Sequence, residues 1–286
     1  MFPGNYGKVV CLVRNNYIKK IETVQELKEV QLGILLKIHE FCVDNNINYS
    51  LSCGTLLGAI RHKGYIPWDD DIDIQLLRDD YNKLMEKFPQ VYKDVSLYSL
   101  ERTPGWHRAY AQAFDTRTIA VEHLCGQMEG VGVAIDVFPT DKVPDDKHEW
   151  HSYNRKRMFW QNVYFIKAMR WSSKRSLKNN LFMLLAKLPI VFMSLRSIAK
   201  RIDKMSQKYN STDSRYVFEN CQGTTKGSDR YLLADFSEYV DCDFEGHRLS
   251  MVKGYDDVLK NLYGDYMQLP PEEDRESTHT FEAYWK

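Results

Sequence analysis

The sequence predicts an α+β fold with an added helical region, and three observations lead there. Apolar residues recur at helical spacing over 24–45. Two stretches, Asp71-Ile72-Asp73-Ile74 and the apolar run 131–139, have the β-branched alternation or continuity of strands. From 146 to 209 the chain becomes helical and basic. The 286 residues therefore divide into an N-terminal arm (1–23), a core (24–145), a helical basic region (146–210) and a C-terminal part (211–286) that packs on the core.

The elements follow in order. The arm is irregular. Over 24–45, Val24, Leu27, Val30, Ile34, Leu35, Ile38, Phe41 and Cys42 mark one helix face, and Asn45-Asn46 stops the helix. A short strand is expected over 49–53. A short helix follows over 55–62, opened by Gly54-Thr55 and ended by Gly64. The stretch 71–76 is a strand carrying carboxylates. Asp79 or Asp80 caps the next helix, which runs toward Phe88-Pro89. Strands are expected over 95–100, 108–114 and 131–139, the last with Asp136 inside it. The helical region breaks at Trp171-Ser172-Ser173. Short strands return over 216–254 among Gly223, Gly227 and Gly246, and a helix over 255–263 ends at Gly264. The tail then passes Pro270-Pro271 toward Arg275 and His279. The chain carries no repeat and no low-complexity tract.

Chemistry concentrates in residues 52–74. Side chains at i and i+2 of a strand share a face, so Asp71 and Asp73 set two carboxylates side by side while Ile72 and Ile74 face the core. Such a pair repels unless a cation lies between. Oxygen ligands suit Mg2+ or Mn2+, which commonly take one or two carboxylates plus substrate phosphates. Arg61 and Lys63 offer positive charge to those phosphates, with a surface ion pair as the alternative for each. Asp69 and Asp70 read equally as turn residues beside Pro67. An acid inside Val-Ala-Ile-Asp-Val-Phe needs a partner, and Asp136 is read as a third metal ligand or a general base, the alternative being a core acid bonded to amides or arginine.

Composition narrows the partners. Lys plus Arg and Asp plus Glu number 39 each, so a nucleic-acid partner is not expected. None of Cys11, Cys42, Cys53, Cys125, Cys221 and Cys242 forms a C-x-x-C pair, which argues against structural zinc. Cys42 and Cys53 read as buried thiols. Lys8 and Arg14 interrupt the first apolar run, so no signal peptide is read and a cytoplasmic, reducing setting is the expectation. The apolar stretch 181–195 is too short to span a bilayer and holds Lys187 and Pro189. It reads first as a buried helical hairpin broken at Pro189. The alternative is peripheral contact with anionic lipid at the inner face of the membrane through 174–201, where Lys174, Arg175, Lys178, Arg196, Lys200 and Arg201 flank it.

A Gly-Thr turn, a short helix, a strand with alternating acids and a later strand with one acid resemble the nucleotidyltransferase superfamily core. More closely, residues 54–74, GTLLGAIRHKGYIPWDDDIDI, resemble the LicD family of phosphocholine and related transferases, a group that includes fukutin and the fukutin-related protein. The resemblance extends to Asp136-Val137-Phe138-Pro139 and to the tail 263–271. It implies a nucleotidyltransferase-like core, a small mixed sheet flanked by helices. It also implies transfer of a phospho-alcohol from a CDP-linked donor, such as CDP-choline or CDP-ribitol, to a hydroxyl of a glycan or lipid-linked glycan, with release of CMP. In that reading Asp71, Asp73 and Asp136 are catalytic and hold Mg2+ or Mn2+. Gly54, Thr55, Arg61, Lys63 and Trp68 bind substrate, the Gly54-Thr55 turn leaving room for a phosphate at a helix start. Trp68, Trp106, Tyr110 and Trp160 are candidate walls for a quaternary ammonium.

Two other classes compete. A glycosyltransferase could use Asp-Ile-Asp to hold Mn2+ and a nucleotide sugar; the upstream Gly-Thr turn and the separate Asp136 strand favour the phosphotransferase. A non-enzymatic module is disfavoured because Asp71, Asp73 and Asp136 are all present.

Overall fold

The computed structural model describes residues 19–122, 128, 130–172, 175–219, 229–275 and 281–286. Most of the N-terminal arm, and Cys11, Cys125, Cys221, Gly223, Gly227, Ser173, Lys174 and His279, lie outside them. In chain order the elements are β1 (Lys19–Lys20), α1 (Val24–Asp44), β2 (Ser50–Leu51), α2 (Cys53–Arg61), β3 (Asp73–Leu77), α3 (Arg78–Lys87), β4 (Val95–Tyr98), β5 (Ala111–Asp115), β6 (Thr118–Glu122) and β7 (Ala134–Val143). There follow α4 (Lys147–Ala168), α5 (Leu177–Lys187), α6 (Leu195–Ser206), β8 (Tyr216–Phe218), β9 (Tyr231–Leu232), β10 (Tyr239–Phe244), β11 (His247–Val252), α7 (Tyr255–Tyr263) and β12 (Phe281–Trp285).

The main sheet is mixed. Its order is β2-β3-β7-β5-β4, with β8 and β9 continuing from β7. β3 and β7 run parallel, and the other pairings are antiparallel. The long strand β7 serves two neighbours on one edge: its first half pairs with β5 up to Val137, its second with β8 from Asp141. Pro139 falls between those ladders, where its missing N–H breaks no bond on that edge. β1, β12 and β6 form a second, antiparallel sheet. The β10–β11 hairpin turns through Glu245 (φ 52°) and Gly246 (φ 75°), the left-handed pair that a two-residue hairpin loop requires.

Helix α1 lays Leu27, Val30, Ile34, Leu35, Ile38, Phe41 and Cys42 into the core, and Thr23 caps its first turn by accepting from the Glu26 amide at 3.0 Å. Several boundaries differ from expectation. The carboxylate strand begins at Asp73, leaving Asp71 just ahead of it. α3 follows β3 without a loop, so Leu77 occupies the cap position; Asp79 and Asp80 fall in the first turn, where carboxylates still favour the helix dipole. α2 begins at Cys53, and β5 and β7 start and end later than the expected strands. Cys42 and Cys53 are buried thiols that form no disulfide among the described residues.

The expected buried hairpin is instead exposed. In α5 the one buried residue is Asn180, while Leu181, Phe182, Leu184 and Leu185 face outward. Among the described residues no single helix is long and apolar enough to cross a membrane; 177–190 and 195–209 pass together but bend by 71°.

A buried ion network joins the helical region to the sheet. Arg78 grips Asp141 of β7 through two bonds of 2.7 Å and reaches Asp203 of α6 at 3.0 Å, and Asn210 donates to Asp141 at 2.6 Å. Removing one member of such a buried pair strands the other charge, at a cost of about 3–5 kcal/mol. Arg78→Met should therefore move the urea midpoint down by that equivalent with an unchanged m value. An unmoved midpoint would contradict the role given to this network.

Candidate active site

The parallel register of β3 and β7 sets Asp73 directly opposite Asp136, so both carboxylates stand on one face of the sheet. The same row continues across neighbouring strands. Gln112 of β5 pairs with Asp136 and donates to its Oδ1 at 2.6 Å. On the other side the Ser52 amide donates to the Asp73 carbonyl at 2.9 Å. The row opens into a cavity of about 160 Å3 lined by Asp71, Asp73 and Asp136 together with Arg108, Tyr110, Phe138, Gln161, Tyr164 and Phe165.

The electrostatics of the lining residues differ. Burial, then repulsion from Asp71, Asp136, Glu219 and Asp69, holds the Asp73 carboxyl well above its ordinary range. Burial works against the charge on Arg108, which lines the same cavity, but the Tyr110 phenol and the Asp136 carboxylate outweigh it and hold the guanidinium protonated. Arg108 donates to the Tyr110 hydroxyl at 2.7 Å. Burial, with Arg108 next to it, pushes His107 down to about 4, so it is neutral at pH 7; its Nδ1 lies 2.9 Å from the Tyr164 hydroxyl.

Asp71, Asp73 and Asp136 thus meet at one cavity. The other expected residues do not line it. Thr55 accepts from the Asp73 amide at 2.9 Å through Oγ1 and so positions that residue. A Cβ on Gly54 would lie 2.5 Å from Asp69 Oδ2, so glycine allows this close approach. Cys53, at φ 46°, turns the chain into α2, whose Ser52 cap makes no side-chain capping bond to the helix amides; its Oγ lies 3.4 Å from Cys53 Sγ instead. Arg61 donates to the carbonyls of Tyr266 (2.8 Å) and Gln268 (3.4 Å), which fastens the tail. Lys63 is exposed at φ 62° and its carbonyl accepts from Glu245. Trp68 lies between His62 and Arg275, with ring centroids 6.1 Å apart and the Arg275 guanidinium at 5.5 Å. Of the candidate aromatic walls, Tyr110 lines the cavity. Trp106 is buried, with its indole N–H on the Tyr110 carbonyl, and Trp160 lies against Arg201.

Sequence reasoning missed Arg108, Tyr164, Phe165 and Glu219. Glu219 is buried at the end of β8, accepts from Ser52 Oγ at 3.2 Å and has no partner for Oε1 among the described residues. Burial pushes its carboxyl up to about 8; Asp136 adds to the rise, while Ser52 and Arg157 oppose it. Its signal was legible, because an acid closing an apolar strand is the pattern that drew attention to Asp136.

Among the described residues no group of three His, Cys, Asp or Glu side chains is arranged to hold a metal ion by itself. The donors at the cavity are all oxygen, and their mutual repulsion is a demand for positive charge. That donor set fits a hard divalent cation whose coordination is completed by water and substrate oxygens.

The family model described as LicD/FKTN/FKRP, nucleotidyltransferase domain, matches residues 46–178. The lipopolysaccharide cholinephosphotransferase LicD of Haemophilus influenzae is 32% identical over 274 residues, covering 93% of this chain and 99% of that protein. An uncharacterized protein of Rickettsia prowazekii is 42% identical over 84 residues, 29% of each chain. The chain is a transferase. It belongs to the LicD family of phosphotransferases.

The Glu219 shift has a defined consequence for stability. Between pH 4.5 and about 8 the native state holds a proton on Glu219 that the unfolded chain releases. Glu219 therefore makes stability fall as pH rises through that window. In EDTA, Glu219→Gln should be more stable than the parent at pH 8 and should lose this part of the slope. Parallel urea-midpoint profiles from pH 5 to 8.5 would refute the assignment.

Proposed function

We propose that this protein transfers phosphocholine, or the phospho-form of a related alcohol, from a CDP-linked donor to a hydroxyl of a cell-surface glycan and releases CMP. Lipopolysaccharide is the first acceptor to test. The observation that carries this reading is the cavity that Asp71, Asp73 and Asp136 share with Arg108 and a set of aromatic side chains. The nearly full-length likeness to a lipopolysaccharide cholinephosphotransferase supports it and favours phosphotransfer over the sugar-nucleotide alternative.

In this mechanism Asp71, Asp73 and Asp136 would hold Mg2+ or Mn2+, which supplies charge neutralisation for the donor pyrophosphate. Arg108, held protonated in the same cavity as the acids, offers paired N–H donors to phosphate oxygens as charge moves onto them. Tyr110, Phe138, Tyr164 and Phe165 present ring faces suited to a trimethylammonium group, which favours choline over ribitol or glycerol. Gln112 fixes one oxygen of Asp136 and so orients the other for the acceptor hydroxyl. The acceptor oxygen attacks the choline-bearing phosphorus, its proton passes to Asp136, and the bond to CMP breaks. With a lipid-linked acceptor the enzyme works as a peripheral protein at the inner face of the membrane.

Purified protein incubated with CDP-choline, CDP-ethanolamine, CDP-ribitol and CDP-glycerol should release CMP fastest with CDP-choline in the presence of a glycan acceptor. Asp136→Asn should keep donor binding with modest loss and lower single-turnover transfer about 100-fold or more. A folded Asp136→Asn protein with parental turnover would remove Asp136 from the chemistry. Release of UDP or GDP from sugar nucleotides in place of CMP would overturn the proposed reaction.

A further inference from the structure

Most of the large apolar side chains exposed among the described residues lie between 158 and 192. Leu177 is 77% exposed, Phe182 71% and Phe192 99%, with Leu181, Leu184, Leu185, Leu188 and Val191 beside them. The polar groups hold the hairpin to the protein instead. Asn180 donates to the carbonyls of Ser172 (2.8 Å) and Arg175 (3.1 Å). Lys187 bonds the Met169 carbonyl at the end of α4, and Lys167 of α4 bonds those of Ile190 (3.1 Å) and Val191 (3.0 Å). An element fixed by polar contacts with its leucines and phenylalanines outward is inverted relative to a soluble helix.

A basic cleft adjoins it. Trp160, Met193, Ser197, Lys200, Arg201, Lys204, Met205 and Lys208 line an open space of about 680 Å3. Lys200, Arg201, Lys204 and Lys208 are exposed, and no carboxylate ion pair is formed by them among the described residues. Arg196, which flanks the same hairpin in sequence, is engaged within the fold, donating to the carbonyls of Leu100, Thr103 and Trp106. Positive charge therefore gathers on the cleft face of α6.

We propose that the 177–192 hairpin and this cleft form a monotopic docking surface for an anionic lipid bilayer. The hairpin enters the interface and the cleft cations meet the headgroups. The hairpin does not cross. α5, 11 residues long, reaches about 16 Å against a hydrocarbon core of about 30 Å. The second half of the bent pair is committed to the protein, because Ile198, Ala199 and Ile202 of α6 are buried with Trp106 and Phe114. A second copy of the chain is the weaker occupant, since pairing two such faces would bring like charges together. Phe165 of α4 and Ile202 of α6 line the candidate active cavity, and the same two helices hold the hairpin and carry the cleft cations. Resting on the function proposed above, this placement delivers a membrane-anchored acceptor to the cavity rim.

The test is co-sedimentation of the full chain with vesicles at 0.15 M salt, without donor or acceptor, so that it stands apart from the transfer reaction. Binding is expected to phosphatidylcholine vesicles containing about 30% phosphatidylglycerol, in line with the charge dependence of such interfaces. Phe182→Gln/Phe192→Gln should weaken it about tenfold or more, as loss of two inserted aromatic side chains implies. Lys200→Glu/Lys204→Glu should weaken it on anionic vesicles and leave residual binding to phosphatidylcholine unchanged. All substituted positions are exposed, and thermal melts confirm that the fold is retained. Absence of parental binding to anionic vesicles would overturn the proposal, as would equal binding by the Phe182→Gln/Phe192→Gln chain. A dimer in sedimentation velocity that this double substitution dissolves, with no vesicle binding, would assign the face to a second copy.

Discussion

The parallel pairing of β3 with β7 is the constraint on which the site depends. Among the described residues it is the one parallel ladder of the main sheet, and it puts Asp73 opposite Asp136. A strand slipped by one residue would turn one of these carboxylates into the opposite layer. Two flanking contacts hold the alignment: Thr55 accepts from the Asp73 amide, and the Asp136 amide donates to the Ile72 carbonyl. The result is an acidic row in which burial and mutual repulsion both raise Asp73. Such a row is costly in the metal-free chain and favourable once positive charge arrives.

Further along the same strands, charge is used differently. Arg78 meets Asp141 in a bidentate, fully buried pair and draws in Asp203 of α6. The acids at the cavity meet a different cation: Arg108 lines the same cavity, with Tyr110 as its hydroxyl partner. One end of the β3–β7 pair is thus neutralised inside the protein, while the other faces an open space with excess negative charge. α6 links the two, since Asp203 belongs to the network and its neighbour Ile202 lines the cavity.

Much of this was legible in the sequence where the signal is local. The period of Leu27, Val30, Ile34 and Ile38 marked α1, and the acids within Asp-Ile-Asp-Ile and Val-Ala-Ile-Asp-Val-Phe stood out because strands rarely carry them without cause. Their pairing was not legible, because register between strands some sixty residues apart is a tertiary property. Arg61 looked suited to phosphate, but a guanidinium serves carbonyls equally well, and here it holds Tyr266 and Gln268. Arg108 sits ahead of a strand with no flanking motif, and its value comes from lining the cavity together with Asp136. The 181–195 stretch was read as buried from its apolar content. Composition reports what a segment avoids, water, and says nothing of whether protein or another phase covers it.

We propose that Asp73 and Asp136 act together on a divalent cation at the cavity. Mn2+ binding followed by electron paramagnetic resonance, with and without CMP, addresses it most directly. The account predicts that the parent chain binds Mn2+ more tightly when CMP is present, because phosphate oxygens complete the coordination. It further predicts that Asp73→Asn and Asp136→Asn each weaken Mn2+ binding about tenfold or more, in line with the loss of a ligand charge. Parental Mn2+ affinity in either variant, or a parent chain that binds no Mn2+ even with CMP, would contradict it.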